Sequence, residues 1–216
     1  MREQIAKSIR ENRLVVILRG VPREKLIPLC EAMYEGGVRL LELTYSANGA
    51  IPDSETAARI RLLAAHFAGR MHIGAGTVLS EEQVRLTAEA GGGFIISPDA
   101  NPSVIRATRA SGLVSIPGAL TPTEAQAAHA AGADFVKLFP CTGLGPDYIK
   151  AIRAPLSHID FLAVGGIDLS NIAAFRAAGV AGVGIGSGIL DKRMLEAEDY
   201  DGIRELAARY IAAVQE

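Results

Sequence analysis

The chain has 216 residues, 49% of them hydrophobic, and a formal net charge of −2. That length admits one large core, and 22 basic against 24 acidic residues leave no basic field for a nucleic acid. No apolar run approaches the roughly 18 residues of a membrane span, MREQIAKSIRENR lacks the apolar centre of an export signal, and Cys30 and Cys141 show neither metal-ligand nor disulfide spacing, so a reducing cytoplasm is expected.

Residues 2 to 12 place Ile5 and Ile9 on one face at helical spacing, which predicts a short N-terminal helix. Eight short apolar runs follow: Leu14 to Leu18, Arg39 to Leu43, His72 to Gly76, Phe94 to Ser97, Leu113 to Ile116, Phe135 to Leu138, Phe161 to Val164 and Gly182 to Ile185. Each leads into a helical pattern, and most are continuously apolar rather than alternating, as parallel strands covered on both faces are. Eight such βα units predict a (β/α)8 TIM barrel, with a doubly wound sheet as the alternative. The longest Pro/Gly/Ser-flavoured stretch, Ser46 to Ser54, is an ordinary loop, so residues 1 to 216 read as a single α/β domain. Ser80 with Gln83, Thr121 with Glu124, and Asp168 mark helix starts.

In such a barrel the reactive groups stand where strands end and βα loops begin. Lys137 lies between Phe135, Val136, Leu138, Phe139 and Pro140; either it snorkels to the surface at a strand end, or it is buried, where desolvation would lower the amine's pKa and increase the free form that attacks a carbonyl. Glu42 closes the second run, where it serves either as a proton shuttle or as a structural ion-pair partner of Lys137 or Arg19. The glycine pair Gly165 and Gly166, together with Gly186 and Ser187, has the form of the phosphate site of many barrels, in which backbone N–H groups at the glycines and at the following helix start hold the anion; the alternative is glycines kept for tight barrel turns. His66, His72, His129 and His158 form no HxH or HExxH pattern, so no metal site and no cofactor are expected.

The window Gly132 to Gly145, GADFVKLFPCTGLG, resembles the Schiff-base signature of the 2-keto-3-deoxy-6-phosphogluconate (KDPG) and 4-hydroxy-2-oxoglutarate (KHG) aldolase family, with Cys141 where Ser or Ala is usual. The likeness runs from Leu14 to about Leu190 and includes ELTYS at Glu42 to Ser46 and GAGTVL at Gly74 to Leu79, whose glycines either let the backbone come close to a ligand or form a tight strand-to-helix turn. Ser46 departs from an arginine that, in one branch, binds the keto-acid carboxylate. ILRG at Ile17 to Gly20 instead matches the branch acting on 2-keto-3-deoxy-6-phosphogalactonate (KDPGal), so Arg19 is expected to take over that carboxylate.

The resemblance implies a class I aldolase with Lys137 as nucleophile and Glu42 as acid/base. Arg19 and Thr77 would hold the carboxylate, Pro98 and Phe139 would pack around the imine, and the Gly165, Gly166, Gly186 and Ser187 turns would hold phosphate. It also implies cleavage of KDPG or KDPGal to pyruvate and glyceraldehyde 3-phosphate, Entner-Doudoroff-type carbohydrate metabolism and a homotrimer. The competing readings are a phosphate-binding barrel isomerase or transferase, which needs no Glu42 and Lys137 pair, and a non-catalytic sugar-phosphate sensor.

Overall fold

The computed structural model describes all 216 residues. Helix α1 (Arg2–Asn12) precedes nine parallel strand segments: β1 (Leu14–Leu18), β2 (Leu40–Thr44), β3 (His72–Gly76), β4 (Phe94–Ile96), β5 (Val114–Ile116), β6 (Gly118–Ala119), β7 (Val136–Leu138), β8 (Phe161–Val164) and β9 (Gly182–Ile185). Their order in the sheet is β5-β4-β3-β2-β1-β9-β8-β7-β6. The two ends of that list are one stave, interrupted only by Pro117, which has no N–H to donate to a ladder.

Phe135 N–H donates to Ser115 O at 3.2 Å and Lys137 N–H to Pro117 O at 2.8 Å, so this stave also joins its next neighbour and the eight staves form a ring. The expectation of a (β/α)8 barrel holds, and the nine segments arise from the break at Pro117.

Between the staves run α2 (Leu26–Glu35), α3 (Asp53–His66), α4 (Glu81–Glu89), α5 (Pro102–Ala110), α6 (Pro122–Ala130), α7 (Gly145–Arg153) and α8 (Ile172–Ala177); α9 (Lys192–Glu196) and α10 (Tyr200–Gln215) end the chain. Two helix starts form as the residues predict. Ser80 accepts from Gln83 N–H, and Thr121 with Glu124 makes a complete capping box. Asp168 acts differently: its carboxylate accepts from Ser170 in a turn, and α8 begins only after Asn171.

Apolar burial splits into two layers. A cluster of 51 buried residues lies mainly between staves and helices, whereas the cluster of 11 fills the lower bore with Val15, Leu40, Phe94, Ile96, Val114, Ile116, Phe135 and Leu162. Ile5, Ala6 and Ile9 belong to the smaller cluster, so α1 plugs the end of the barrel where the strands start. Asp134, within the lysine signature, fastens this end by accepting from Arg2 (2.6 Å), Arg109 (3.0 Å) and Ser115 N–H (2.9 Å). With the bottom closed by hydrocarbon, polar side chains are left to the opposite end.

Candidate active site

Side chains alternate in and out along each strand, so the register fixes which residues meet in the bore. Ile17 pairs with Glu42, Glu42 with Gly74, and Gly118 with Lys137. From β2 the ring passes through β1, β9 and β8 to β7, four steps of eight, so Glu42 and Lys137 face each other from opposite staves. Both are nearly sealed from solvent, at 2% and 6% exposed.

Their electrostatics follow from that burial. Desolvation raises the Glu42 carboxyl above its ordinary range, opposed by the positive charges of Lys137 and Arg19. The same desolvation lowers the Lys137 ammonium, with Glu42 opposing the shift and Arg19 reinforcing it. The two interact through space, since no nitrogen-to-oxygen pair between them lies within 4.0 Å. Glu42 Oε2 is buried without a hydrogen-bond partner. A buried, unpartnered carboxylate oxygen across from a buried amine is costly for folding alone and suited to proton transfer.

Phe139 places its ring 4.4 Å from Lys137 Nζ, measured to the centroid, so it forms one wall of the amine's pocket. Pro98 lies in the β4α5 turn on the next side, and its carbonyl packs so tightly on Gly118 that a Cβ there would come within 2.3 Å. The glycines of GAGT serve the packing of other staves. A Cβ on Gly74 would meet the Phe94 ring at 2.3 Å and one on Gly76 would meet Glu42 Oε1 at 1.5 Å, so both make room for protein side chains. Their expected role of letting backbone approach a ligand passes to the following residue.

That residue, Thr77, holds φ at 56°, in the left-handed region that β-branched residues rarely occupy. Its N–H donates to no protein acceptor, and Arg19 Nη2 donates to its hydroxyl at 3.2 Å. Arg19 is exposed at the end of β1, and Arg59 on α3 steadies the loop beyond it by donating to Val21 O at 3.2 Å. A guanidinium, a hydroxyl and a free amide thus converge at one rim of the bore, a donor set suited to a carboxylate. Ser46 takes no part: it donates to Asn48 within a turn at 2.7 Å.

On the β8 and β9 side, Gly165 and Gly166 have φ of 95° and 74°. The N–H groups of Gly165, Gly166, Gly186 and Ser187 have no acceptor within the protein, and Ser187 is exposed. Asn171 supports this turn by donating to Gly166 O at 2.9 Å and accepting from Asp168 N–H at 3.0 Å. No helix begins directly at either turn, since α9 starts only at Lys192 and α8 at Ile172. Any anion bound here would therefore be held by the turn amides, and the expected help from helix starts falls away. Cys141 is buried, and its thiol contacts Leu138 O at 3.2 Å, away from the bore.

The roles of Asp134 and of Phe94 against Gly74 were not among the expectations. Asp134 stands inside the lysine motif and was legible as a carboxylate just before a buried strand; its partners lie far away in the chain and were not.

The family model described as KDPG and KHG aldolase matches residues 5–206. The chain is 37% identical over 175 residues to the 2-dehydro-3-deoxy-6-phosphogalactonate aldolase of Escherichia coli, covering 81% of this chain and 82% of that protein. A native KDPGal structure superposes with a TM-score of 0.82 at 35% identity, covering 94% of this chain and 96% of that one. The KDPG aldolase of Legionella pneumophila, whose structure holds pyruvate as a covalent carbinolamine, does so with a TM-score of 0.82 at 27% identity over the same shares. With its barrel, its buried lysine facing a buried glutamate and this extent of likeness, the chain belongs to the KDPG and KHG aldolase family of carbon–carbon lyases.

Proposed function

We propose that this aldolase uses Lys137 to cleave a 2-keto-3-deoxy-6-phospho sugar acid, KDPGal or its gluconate counterpart, into pyruvate and glyceraldehyde 3-phosphate. The observation that carries the reading is the opposition of Lys137 and Glu42 across a closed bore, both desolvated and each biasing the other's charge.

The low-lying ammonium supplies free amine, which adds to the C2 carbonyl; loss of water leaves a protonated imine that acts as electron sink. Glu42 then takes the proton of the C4 hydroxyl, directly or through one water. The C3–C4 bond breaks, the aldehyde leaves, and the bond's electrons form an enamine. The enamine is protonated at C3, and hydrolysis of the imine frees pyruvate and Lys137. Glu42's raised affinity for protons suits it to hold the proton between steps.

Arg19 and Thr77 would bind the carboxylate and so fix C2 over the amine. Phe139 and Pro98 would wall the imine, and the amides of Gly165, Gly166, Gly186 and Ser187 would take the phosphate. The likeness to KDPGal aldolases and the ILRG end of β1 favour the galactonate epimer; 4-hydroxy-2-oxoglutarate would be a secondary substrate. None of these steps calls for a cofactor. The whole chain would act as one barrel domain.

Pyruvate plus borohydride tests nucleophile and reaction class together. One three-carbon adduct per chain is expected on Lys137 and none after Lys137→Ala; an adduct on Lys25 or Lys150, or none in the wild type, would reverse the assignment. Family likeness further supports a homotrimer in the cytoplasm serving Entner-Doudoroff-type metabolism. A stable monomer in sedimentation at micromolar concentration would count against the trimer. No helix is long and apolar enough to cross a membrane.

A further inference from the structure

Thr77 is a β-branched residue held at φ 56°, next to the buried carboxylate of Glu42. Such a backbone persists only where its surroundings over-determine it. The contacts on either side of Thr77 show what does so. Before it, Gly76 O accepts from Tyr45 N–H at 2.8 Å. After it, Val78 N–H donates to Ile96 O at a long 3.3 Å, and Leu79 N–H donates to Gln83 Oε1 at 2.7 Å.

Gln83 is 8% exposed and bonds in three further directions. Its Nε2 donates to both carboxylate oxygens of Asp53, at 3.1 and 3.2 Å, which anchors it to the first residue of α3. Its backbone carbonyl accepts from Tyr45 OH at 3.2 Å and from Thr87 Oγ1 at 2.8 Å, and its backbone N–H donates to Ser80 Oγ at 3.2 Å. Tyr45 is therefore tied to both sides of Thr77, by its N–H to Gly76 and by its hydroxyl to the backbone of Gln83. A glutamine that only capped a helix would need its oxygen placed and could leave its amino end to solvent. Here the carbonyl end must face Leu79 and the amino end must face Asp53.

We infer that Gln83 is a positioning residue of the carboxylate subsite: its amide, oriented by Asp53, holds the Thr77 to Leu79 turn so that the Thr77 N–H and hydroxyl face the bore beside Arg19. The inference rests on the carboxylate reading of Thr77 given above. It assigns to Gln83 the affinity for the keto acid's carboxylate, acting through Thr77, and no part in bond breaking. Thr77 relaxed toward an ordinary backbone would turn these donors elsewhere, while Lys137, Glu42 and the phosphate turns would stay in place.

The probes are pyruvate, followed by borohydride trapping, and glycerol 3-phosphate as an inhibitor that lacks a carboxylate. Gln83→Met keeps the volume and removes both polar ends. It should raise half-saturating pyruvate roughly 5-fold to 50-fold, as loss of a buried acceptor that leaves its donor unpaired does. The limiting trapping rate and glycerol 3-phosphate inhibition should stay within about 2-fold, because a uniform binding loss does not touch the chemical step.

Gln83→Glu keeps the acceptor for Leu79 but sets a carboxylate against Asp53, so it should weaken pyruvate as well. Adding Asp53→Asn restores a donor and should bring half-saturation back to within about 3-fold of wild type, a rescue that double-mutant logic assigns to this pair. Should Gln83→Met fail to fold, that rescue pair carries the test. An unchanged response of Gln83→Met to pyruvate, with Thr77→Val weakened, would overturn the inference and leave the carboxylate reading standing. So would equal losses for pyruvate and glycerol 3-phosphate, or failure of Asp53→Asn to rescue. An unchanged Thr77→Val would remove the carboxylate reading and the inference with it.

Discussion

Gly76→Ala should disable the proton shuttle without touching it chemically. Gly76 lies in β3 with an ordinary strand backbone, so alanine meets no conformational barrier there. The added methyl would sit 1.5 Å from Glu42 Oε1, 2.3 Å from its Cδ and 2.6 Å from its Cγ. An ordinary carbon-to-oxygen contact is about 3.3 Å or more, so the carboxylate must retreat by roughly 2 Å. It is packed in a bore closed below by hydrocarbon, and a misplacement of about 1 Å can lose a factor of 10².

Turnover in Gly76→Ala should therefore fall by roughly 10²-fold to 10⁴-fold, the full contribution of a positioned acid/base. Overpacking also destabilises by about 1 to 3 kcal/mol, which for a chain of this size lowers Tm by several degrees and leaves it folded at 25 °C. Cleavage is followed by coupling the released pyruvate to NADH oxidation through lactate dehydrogenase. Because both changes act on one group, Gly76→Ala with Glu42→Gln should be no slower than the worse single variant. A folded Gly76→Ala with turnover within about 3-fold of wild type, or two losses that multiply, would refute the placement of Glu42 as the shuttle.

Arg19→Lys should raise KM for the keto acid roughly 10-fold to 150-fold, since a charge-assisted hydrogen bond is worth about 1.5 to 3 kcal/mol and an ammonium has no fork of donors. Inhibition by glycerol 3-phosphate should not change in Arg19→Lys and should vanish in Ser187→Asp; equal weakening of both ligands by Arg19→Lys would move Arg19 to the phosphate. Glu42→Gln offers a test by pH. The folded-state pKa of Glu42 is raised above its ordinary 4.5, so the folded chain binds the more protons in that window, and stability falls as pH rises from 4.5 through the raised value. The glutamine variant lacks that titration, so wild type should lose ground to it in thermal melts as pH rises above 4.5. A difference that is flat, or that favours wild type as pH rises, would contradict a desolvated Glu42. Lys137 works in the opposite direction: its folded-state pKa is lowered, so its burial penalty is full below that value and is relieved as pH rises toward 10.5.

Several features were determined by the sequence alone because local physics decides them. The apolar runs Leu14 to Leu18, His72 to Gly76, Phe161 to Val164 and Gly182 to Ile185 coincide with β1, β3, β8 and β9, since buried parallel strands need continuous hydrocarbon bounded by turn residues. Thr121 and Glu124 build their capping box for the same reason, as donor and acceptor are three residues apart on one turn. Lys137 was legible as a candidate nucleophile because a cation inside an apolar strand is anomalous wherever the strand goes.

What only the tertiary structure decided are the relations between residues far apart in the chain. Register placed Glu42 opposite Lys137, four staves away in a ring of eight, and no spacing within the sequence encodes that distance. The GAGT glycines were legible as glycines, but their reason, Phe94 at Gly74 and Glu42 at Gly76, depends on side chains that arrive from other staves. The strain at Thr77 was invisible for a further reason: threonine has no preference for positive φ, so its conformation is imposed by the hydrogen bonds of Tyr45 and Gln83 on either side. Helix starts were expected at the phosphate turns because a glycine pair before a helical pattern permits them. Where α8 and α9 begin depends instead on the Asp168 to Asn171 turn and on Asp191, whose carboxylate accepts from the Arg193 and Met194 amides in the first turn of α9.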